Sequence, residues 1–173
     1  TCTVLCASMV LTSACTGFTG MVARVSAAGV NLLDNPSFSK DANGWFATTA
    51  DTAKLEFIND GKGHDQDGGY VKVTERSDTW NSLAQIIKDK VKNKTKYNFS
   101  CWVKLGEEYT AESTVKAGLT IQSTGDNGGE PVYDGWGISG NTVTASKDEW
   151  RQISGSFTAN WSGDLTELQF KVA

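Results

Sequence analysis

The chain is 173 residues long, 39% apolar and 21% charged, with a formal net charge of −4. That balance fits one soluble globular domain rather than a disordered segment or a pair of domains. The negative charge leaves no electrostatic footprint for nucleic acid, and a single histidine, His64, excludes multi-histidine metal catalysis.

Residues 1–28 carry no acidic side chain and one cation, Arg24, with small apolar residues running from Val4 through Val22. This composition predicts a secretory signal peptide, N-terminally incomplete, cleaved near Ala28 to Asn31 after Val25-Ser26-Ala27-Ala28. Thr12-Ser13-Ala14-Cys15 also loosely matches a lipoprotein signal, which would attach the product to the cell surface. Gly17, Gly20 and Arg24 interrupt the run before it reaches spanning length, so no membrane span is expected. Cys2, Cys6 and Cys15 lie in this leader. Within the predicted mature domain, 29–173, Cys101 stands alone, and stability must come from apolar burial rather than a disulfide.

Beyond Asn31, short alternating segments separated by turn residues predict strands in chain order. They are Tyr70 to Glu75, Ser82 to Ile87, Tyr97 to Leu105, Val115 to Ile121, Ile153 to Phe157 and Leu168 to Val172. The segment Leu83 to Val91 competes as a short helix, with Leu83, Ile86, Ile87 and Lys90 on one face, but it is brief and ends in a lysine-rich turn. Asp60-Gly61-Lys62-Gly63, Asp67-Gly68-Gly69, Gly125 to Gly129 and Asn160 to Gly163 are turn chemistry. Eight or more strands at such spacing imply an all-β fold, a two-sheet antiparallel sandwich or jelly roll.

A glycoside hydrolase needs two carboxylates across a cleft, one of them kept protonated by its surroundings. Glu75, Glu107, Glu108, Glu130 and Glu167 stand among charged or turn residues that supply no such environment. A serine triad would need His64, which lies in a polar loop, and no Gly-x-Ser-x-Gly elbow is present. Asp60, Asp65 and Asp67 miss the helix-loop-helix calcium spacing. The residues therefore predict a segment that is not itself an enzyme.

The six tryptophans all follow residue 28. An indole face desolvates the CH groups of a pyranose, while nearby amides and carboxylates bond the hydroxyls, so this density points to neutral sugars. Trp45, Trp102 and Trp150 adjoin or occupy strands and are expected in packing, with Trp102 on the polar face of its strand. Trp80 sits in the polar loop Arg76 to Ser82, where nothing forces burial, and Tyr133 and Trp136 make a second aromatic loop.

Asn31-Leu32-Leu33-Asp34-Asn35-Pro36-Ser37-Phe38, Gly44-Trp45, Tyr70 to Arg76 with Trp80, Tyr97 to Lys104, Trp150 and Phe157 occur in that order along the chain. Together they resemble carbohydrate-binding modules of families 4, 9 and 22. The resemblance implies a galactose-binding-like jelly roll covalently linked to a xylanase or related glucanase. It also implies a cleft for one xylan or β-glucan chain, and a structural Ca2+ near the N-terminal strand. Residue by residue, Trp80 resembles the stacking tryptophan of family 22 and Arg76 the arginine that braces the strand before it, with Asn81 following. Where those modules carry tyrosine, tyrosine and glutamate on the cleft strands, this chain has Gln122, Gln169 and Lys171, on polar faces from which they can bond sugar hydroxyls. Ser39 replaces the acidic residue usual after the Asn-Pro-x-Phe signature, and the family's closing strand would follow Ala173, so the module is expected to lack its last strand here. The competing readings are a cell-surface adhesion or spacer domain with its cleft filled and, further off, an autonomous glycanase.

Overall fold

Alternation makes the strands. In Thr95–Leu105 the side chains of Tyr97, Phe99, Cys101, Val103 and Leu105 are buried, while Lys96 and Asn98 face water. The computed structural model describes residues 4–13, 29–48, 53–64, 69–125 and 127–173. Its strands are β1 (Val4–Ser13), β2 (Phe46–Ala47), β3 (Lys54–Ile58), β4 (Tyr70–Thr74), β5 (Leu83–Ile86) and β6 (Thr95–Leu105). They continue with β7 (Ser113–Ser123), β8 (Val132–Asp134), β9 (Thr142–Ala145), β10 (Arg151–Ala159) and β11 (Leu165–Val172). The strand expected over Ser82 to Ile87 is β5, and the lysine-rich segment after it turns through a short 3-10 stretch, Lys88–Lys90.

Two antiparallel sheets result, as expected. One runs β10-β6-β1-β4-β3; the other runs β2-β5-β11-β7-β8, with β9 paired to the start of β7. Their inner faces meet in one core. Phe99 and Phe157 of the first sheet stack at 5.4 Å, and Phe170 of the second packs against them at 5.7 and 6.1 Å.

Val4–Ser13 falls inside the stretch whose composition reads as a leader, yet it occupies the middle of the first sheet as β1. It pairs with β6 from Val4↔Leu105 to Ser13↔Tyr97 and with β4 from Val4↔Val73 to Cys6↔Val71. Val4, Cys6, Met9 and Leu11 enter the main core, while Leu5 and Ala7 join Tyr70, Ile58 and Trp150 on the outer side. A run of small apolar residues suits a strand covered on both faces just as it suits a signal sequence, which is why periodicity did not announce it. Val25 to Ala28 and Cys15 lie outside the described residues, whereas Asn31, at the far end of the expected cleavage region, holds β1 by accepting from the Leu11 N–H at 3.0 Å and donating to the Met9 carbonyl at 2.9 Å.

With β1 in place, Cys6 joins Cys101 as a buried free thiol. Burial pushes the Cys6 thiol up to about 12 against a smaller opposing pull from Arg76, and burial first, then Cys6, holds Cys101 well above its usual value. Because thiolate is the reactive form, iodoacetamide at mildly alkaline pH should leave both residues unlabelled in the native protein and modify both after denaturation. Peptide mapping by mass spectrometry reads this directly. Native labelling at Cys6 would show that β1 leaves the sheet.

The outer face of the first sheet is closed by the loop after β3. His64 lies flat on Trp102, centroids 3.6 Å apart and planes 15° off parallel. The Trp150 indole donates to the Lys62 carbonyl at 3.2 Å and meets Tyr70 edge-on at 5.9 Å. Trp102 does point outward, but onto a covering imidazole, so it lines no groove on this sheet.

Candidate carbohydrate-binding site

The outer face of the second sheet is different. Glu75, at φ 54°, turns the chain out of β4 into the loop that carries Trp80. Two buried side chains frame that loop from below. Arg76, 6% exposed, donates from Nη2 to the Thr79 carbonyl at 2.8 Å. Asn81, 1% exposed, accepts the backbone N–H groups of Ser77 and Asp78 at 2.9 and 3.0 Å through Oδ1. Their work is to hold the loop, and the Trp80 indole is left 66% exposed above it.

The floor beside Trp80 follows from strand register. Leu168, Phe170 and Val172 of β11 point into the core, which turns Glu167, Gln169 and Lys171 outward. Gln169 lies between Ile86 of β5 and Thr120 of β7, and Thr120 pairs in turn with Tyr133 of β8. One row of the floor therefore reads Ile86, Gln169, Thr120, Tyr133, with Tyr133 66% and Ile86 55% exposed. The next row reads Ala84, Lys171, Gly118.

Gly118 explains Trp136. A Cβ at Gly118 would come within 2.8 Å of Trp136 Cε2 and Nε1, so the glycine makes room for the indole to lie against the strand. Trp136 donates from Nε1 to the Leu119 carbonyl at 3.2 Å and is half-buried. Its loop is held by Asn141, fully buried, whose Nδ2 donates to the Gly135 carbonyl at 2.9 Å.

These elements enclose a trough of about 780 Å³ lined by Trp80, Tyr133, Trp136, Arg76, Lys116 and Lys171, among others. Of the residues singled out from sequence, it brings together Trp80, Arg76, Tyr133, Trp136 and Lys171. Gln169 stands in the floor row, its amide nitrogen donating to the Glu167 carboxylate. Gln122 turns away and donates from Nε2 to the Gly129 carbonyl at 2.9 Å, steadying the turn before β8. Asn81 faces into its own loop. Ile86, Lys116, Thr120 and Asn141 escaped the sequence reading; only Gly118, an isolated glycine within a strand pattern, carried a signal of close approach.

Among the described residues, Thr120 Oγ1 and Gln169 Oε1 in this floor are buried without a hydrogen-bond partner. Lys171 is desolvated, which lowers its pKa below 10.5 against the opposing pull of Glu167. Flat rings beside polar side chains, such as Trp80 and Tyr133 beside Lys171 and Asp78, are the combination that holds a sugar, rings for the CH face and polar groups for hydroxyls. Carboxylate chemistry has less to build on, since Glu75, Glu107, Glu108 and Glu130 are exposed, with Glu75 paired to Lys54 at 2.7 Å and Glu107 to Lys104 at 3.2 Å.

Two carboxylates near the N-terminal segment are already partnered within the protein. Asp41 accepts from the side chains of Asn35 and Asn43 at 3.0 and 2.6 Å, and Asp34 is paired with Lys90 at 2.5 Å. These carboxylates face N–H donors and an ammonium group where a cation needs free oxygens. Among the described residues no cluster of three or more Asp, Glu, His or Cys is present.

Comparison with known proteins agrees with this geometry. Residues 30–173 match the family model described as Carbohydrate binding domain, CBM_4_9. Endo-1,4-beta-xylanase 1 of Arabidopsis thaliana is 34% identical over 143 residues, 76% of this chain and 14% of that protein. Endo-1,4-beta-xylanase 3 of the same plant is 36% identical over 90 residues, 52% of this chain and 11% of that protein. The chain thus spans only a small part of these curated relatives. Among solved structures, the CBM22-1 xylan-binding domain of Paenibacillus barcinonensis Xyn10C shares the sandwich with a TM-score of 0.59 at 18% identity, covering 78% of each chain. The C-terminal family 22 module of Clostridium thermocellum Xyn10B gives 0.60 at 17% identity, with 79% of each covered. With a family match across nearly all residues beyond β1, and an aromatic trough on the second sheet, the chain belongs to the carbohydrate binding domain family as a non-catalytic binding module.

Proposed function

We propose that this module binds xylan along the trough and serves an exported xylanase to which it is joined. The carrying observation is the Trp80 indole, 66% exposed on a braced loop beside Tyr133 and Trp136. An exposed ring of this size on a rigid support is a binding anchor rather than a packing residue. Xylan as ligand, and a xylanase as the attached enzyme, are supported by relatives named as endo-1,4-beta-xylanases and by neighbours described as xylan-binding. Affinity electrophoresis in gels containing xylan, mixed-linkage β-glucan or soluble cellulose derivatives tests the ligand. Retardation is expected in xylan first; unaltered migration in all three would favour the spacer reading.

Export is the second part of the proposal, supported by the composition of residues 1–28. Leader removal and β1 exclude one another in a single molecule, because cleavage near Ala28 takes Val4–Ser13 away with the leader. A cleaved module would need another strand between β4 and β6. The N-terminal residue of the exported protein, read by mass spectrometry, separates the two forms.

A further inference from the structure

We propose that Lys171 is an anchor for a carboxylate on the polysaccharide, so that the trough prefers xylan carrying uronic-acid branches over neutral xylan. The proposal rests on the xylan reading above and deepens it.

Lys171 stands in mid-sheet with the two smallest possible cross-strand neighbours, Ala84 on β5 and Gly118 on β7. Neither side chain can reach its ammonium group, and beyond Gly118 lies the Trp136 ring. Lys54, Lys90, Lys104 and Lys147 each hold a carboxylate within salt-bridge distance, at 2.7, 2.5, 3.2 and 2.8 Å. Lys171 has no ion pair or hydrogen bond among the described residues. The carboxylate on its own strand, Glu167, sits two outward positions away and accepts from Gln169 instead.

The charges around it point the same way. Among the described residues that line the trough, Arg76, Lys116 and Lys171 stand against one side-chain carboxylate, Asp78, in a chain whose net charge is −4. A partly desolvated ammonium with no carboxylate in contact, and only the more distant pull of Glu167, is costly, and an incoming carboxylate relieves that cost through a charge-assisted hydrogen bond that a sugar hydroxyl matches only weakly. The Trp80 and Tyr133 rings ask for a flat apolar face on the same ligand. A sugar chain with acid branches satisfies all of these at once, whereas an acidic peptide has no flat CH face for the rings.

The test is isothermal titration with uronic-acid-branched xylan and with the same polymer after its carboxyl groups are reduced to alcohols. The protein is used as wild type, Lys171→Gln and Lys171→Arg, with thermal melts to verify folding. Wild type should bind the acidic polymer about tenfold more tightly, the size of one charge-assisted bond, and the gap should narrow as salt rises. Lys171→Gln should bind both polymers alike, and Lys171→Arg should keep part of the preference. Equal wild-type affinity for the two polymers overturns the proposal and leaves the xylan reading standing. Equally tight binding to polygalacturonate, an acid polymer without a xylan backbone, would also overturn it. Binding to neither xylan removes the xylan reading itself.

Discussion

Trp80→Ala is expected to abolish retention in xylan gels while leaving the thermal melt almost unchanged. The indole is exposed in the free protein, so its loss removes no core contact, and substitutions of that kind move stability by about 0.5 kcal/mol or less. In the complex it becomes the largest ring that can lie on a pyranose. Truncating such an anchor costs about 2 kcal/mol or more, a rise in Kd of roughly thirtyfold. Trp45→Ala is the contrast. That ring is 7% exposed, packs on Phe38 at 5.4 Å and donates to the Asp34 carbonyl at 3.1 Å, so its removal should cost about 3–5 kcal/mol of stability. Should Trp80→Ala bind as wild type does, the trough is not the site, and the spacer reading takes its place.

The second large effect concerns β1. A chain lacking residues 1–28 is expected to lose cooperative unfolding, because Val4, Leu5, Met9 and Leu11 bury fully in the centre of a sheet. At about 1.5–3 kcal/mol for each large side chain, an upper estimate, their burial is worth on the order of the whole stability of a domain, about 5–15 kcal/mol. Removal also uncovers edges of β4 and β6 that β1 now satisfies, which invites aggregation. The measurement is circular dichroism during heating of residues 1–173 and 29–173, then of 29–173 with a synthetic peptide of residues 4–13. Return of a sharp transition with the peptide would show the slot accepting a strand supplied in trans. A sharp transition for 29–173 alone, at the full-length temperature, would show that β1 contributes nothing.

Much of this module could be read along the chain. The strands that carry its core alternate clearly enough that Tyr97 to Leu105, Val115 to Ile121 and Leu168 to Val172 reappear within β6, β7 and β11. Trp80 was legible because a large ring in a polar loop has no local reason to be buried, and the structure leaves it exposed. The exceptions share a cause. Val4–Ser13 is rich in small apolar residues, a composition that suits a leader and a central strand alike, and its place between β4 and β6 rests on partners far along the chain. Asn81 enters through the resemblance and Gln122 through its place on a polar strand face, and only the folded chain shows Asn81 Oδ1 and Gln122 Nε2 bonding the protein's own loops.

The sequence by itself determined an all-β sandwich, the faces of its strands and the aromatic residues available for a sugar, since period-two alternation and turn chemistry are local properties. What the tertiary structure alone decided was which residues meet. Cross-strand register sets Ala84 and Gly118 on either side of Lys171, lays Trp136 over a glycine, and gathers β4–β5 loop and β8 aromatics above one floor. Register depends on pairings between segments far apart in the chain, and no pattern within one segment encodes its partner.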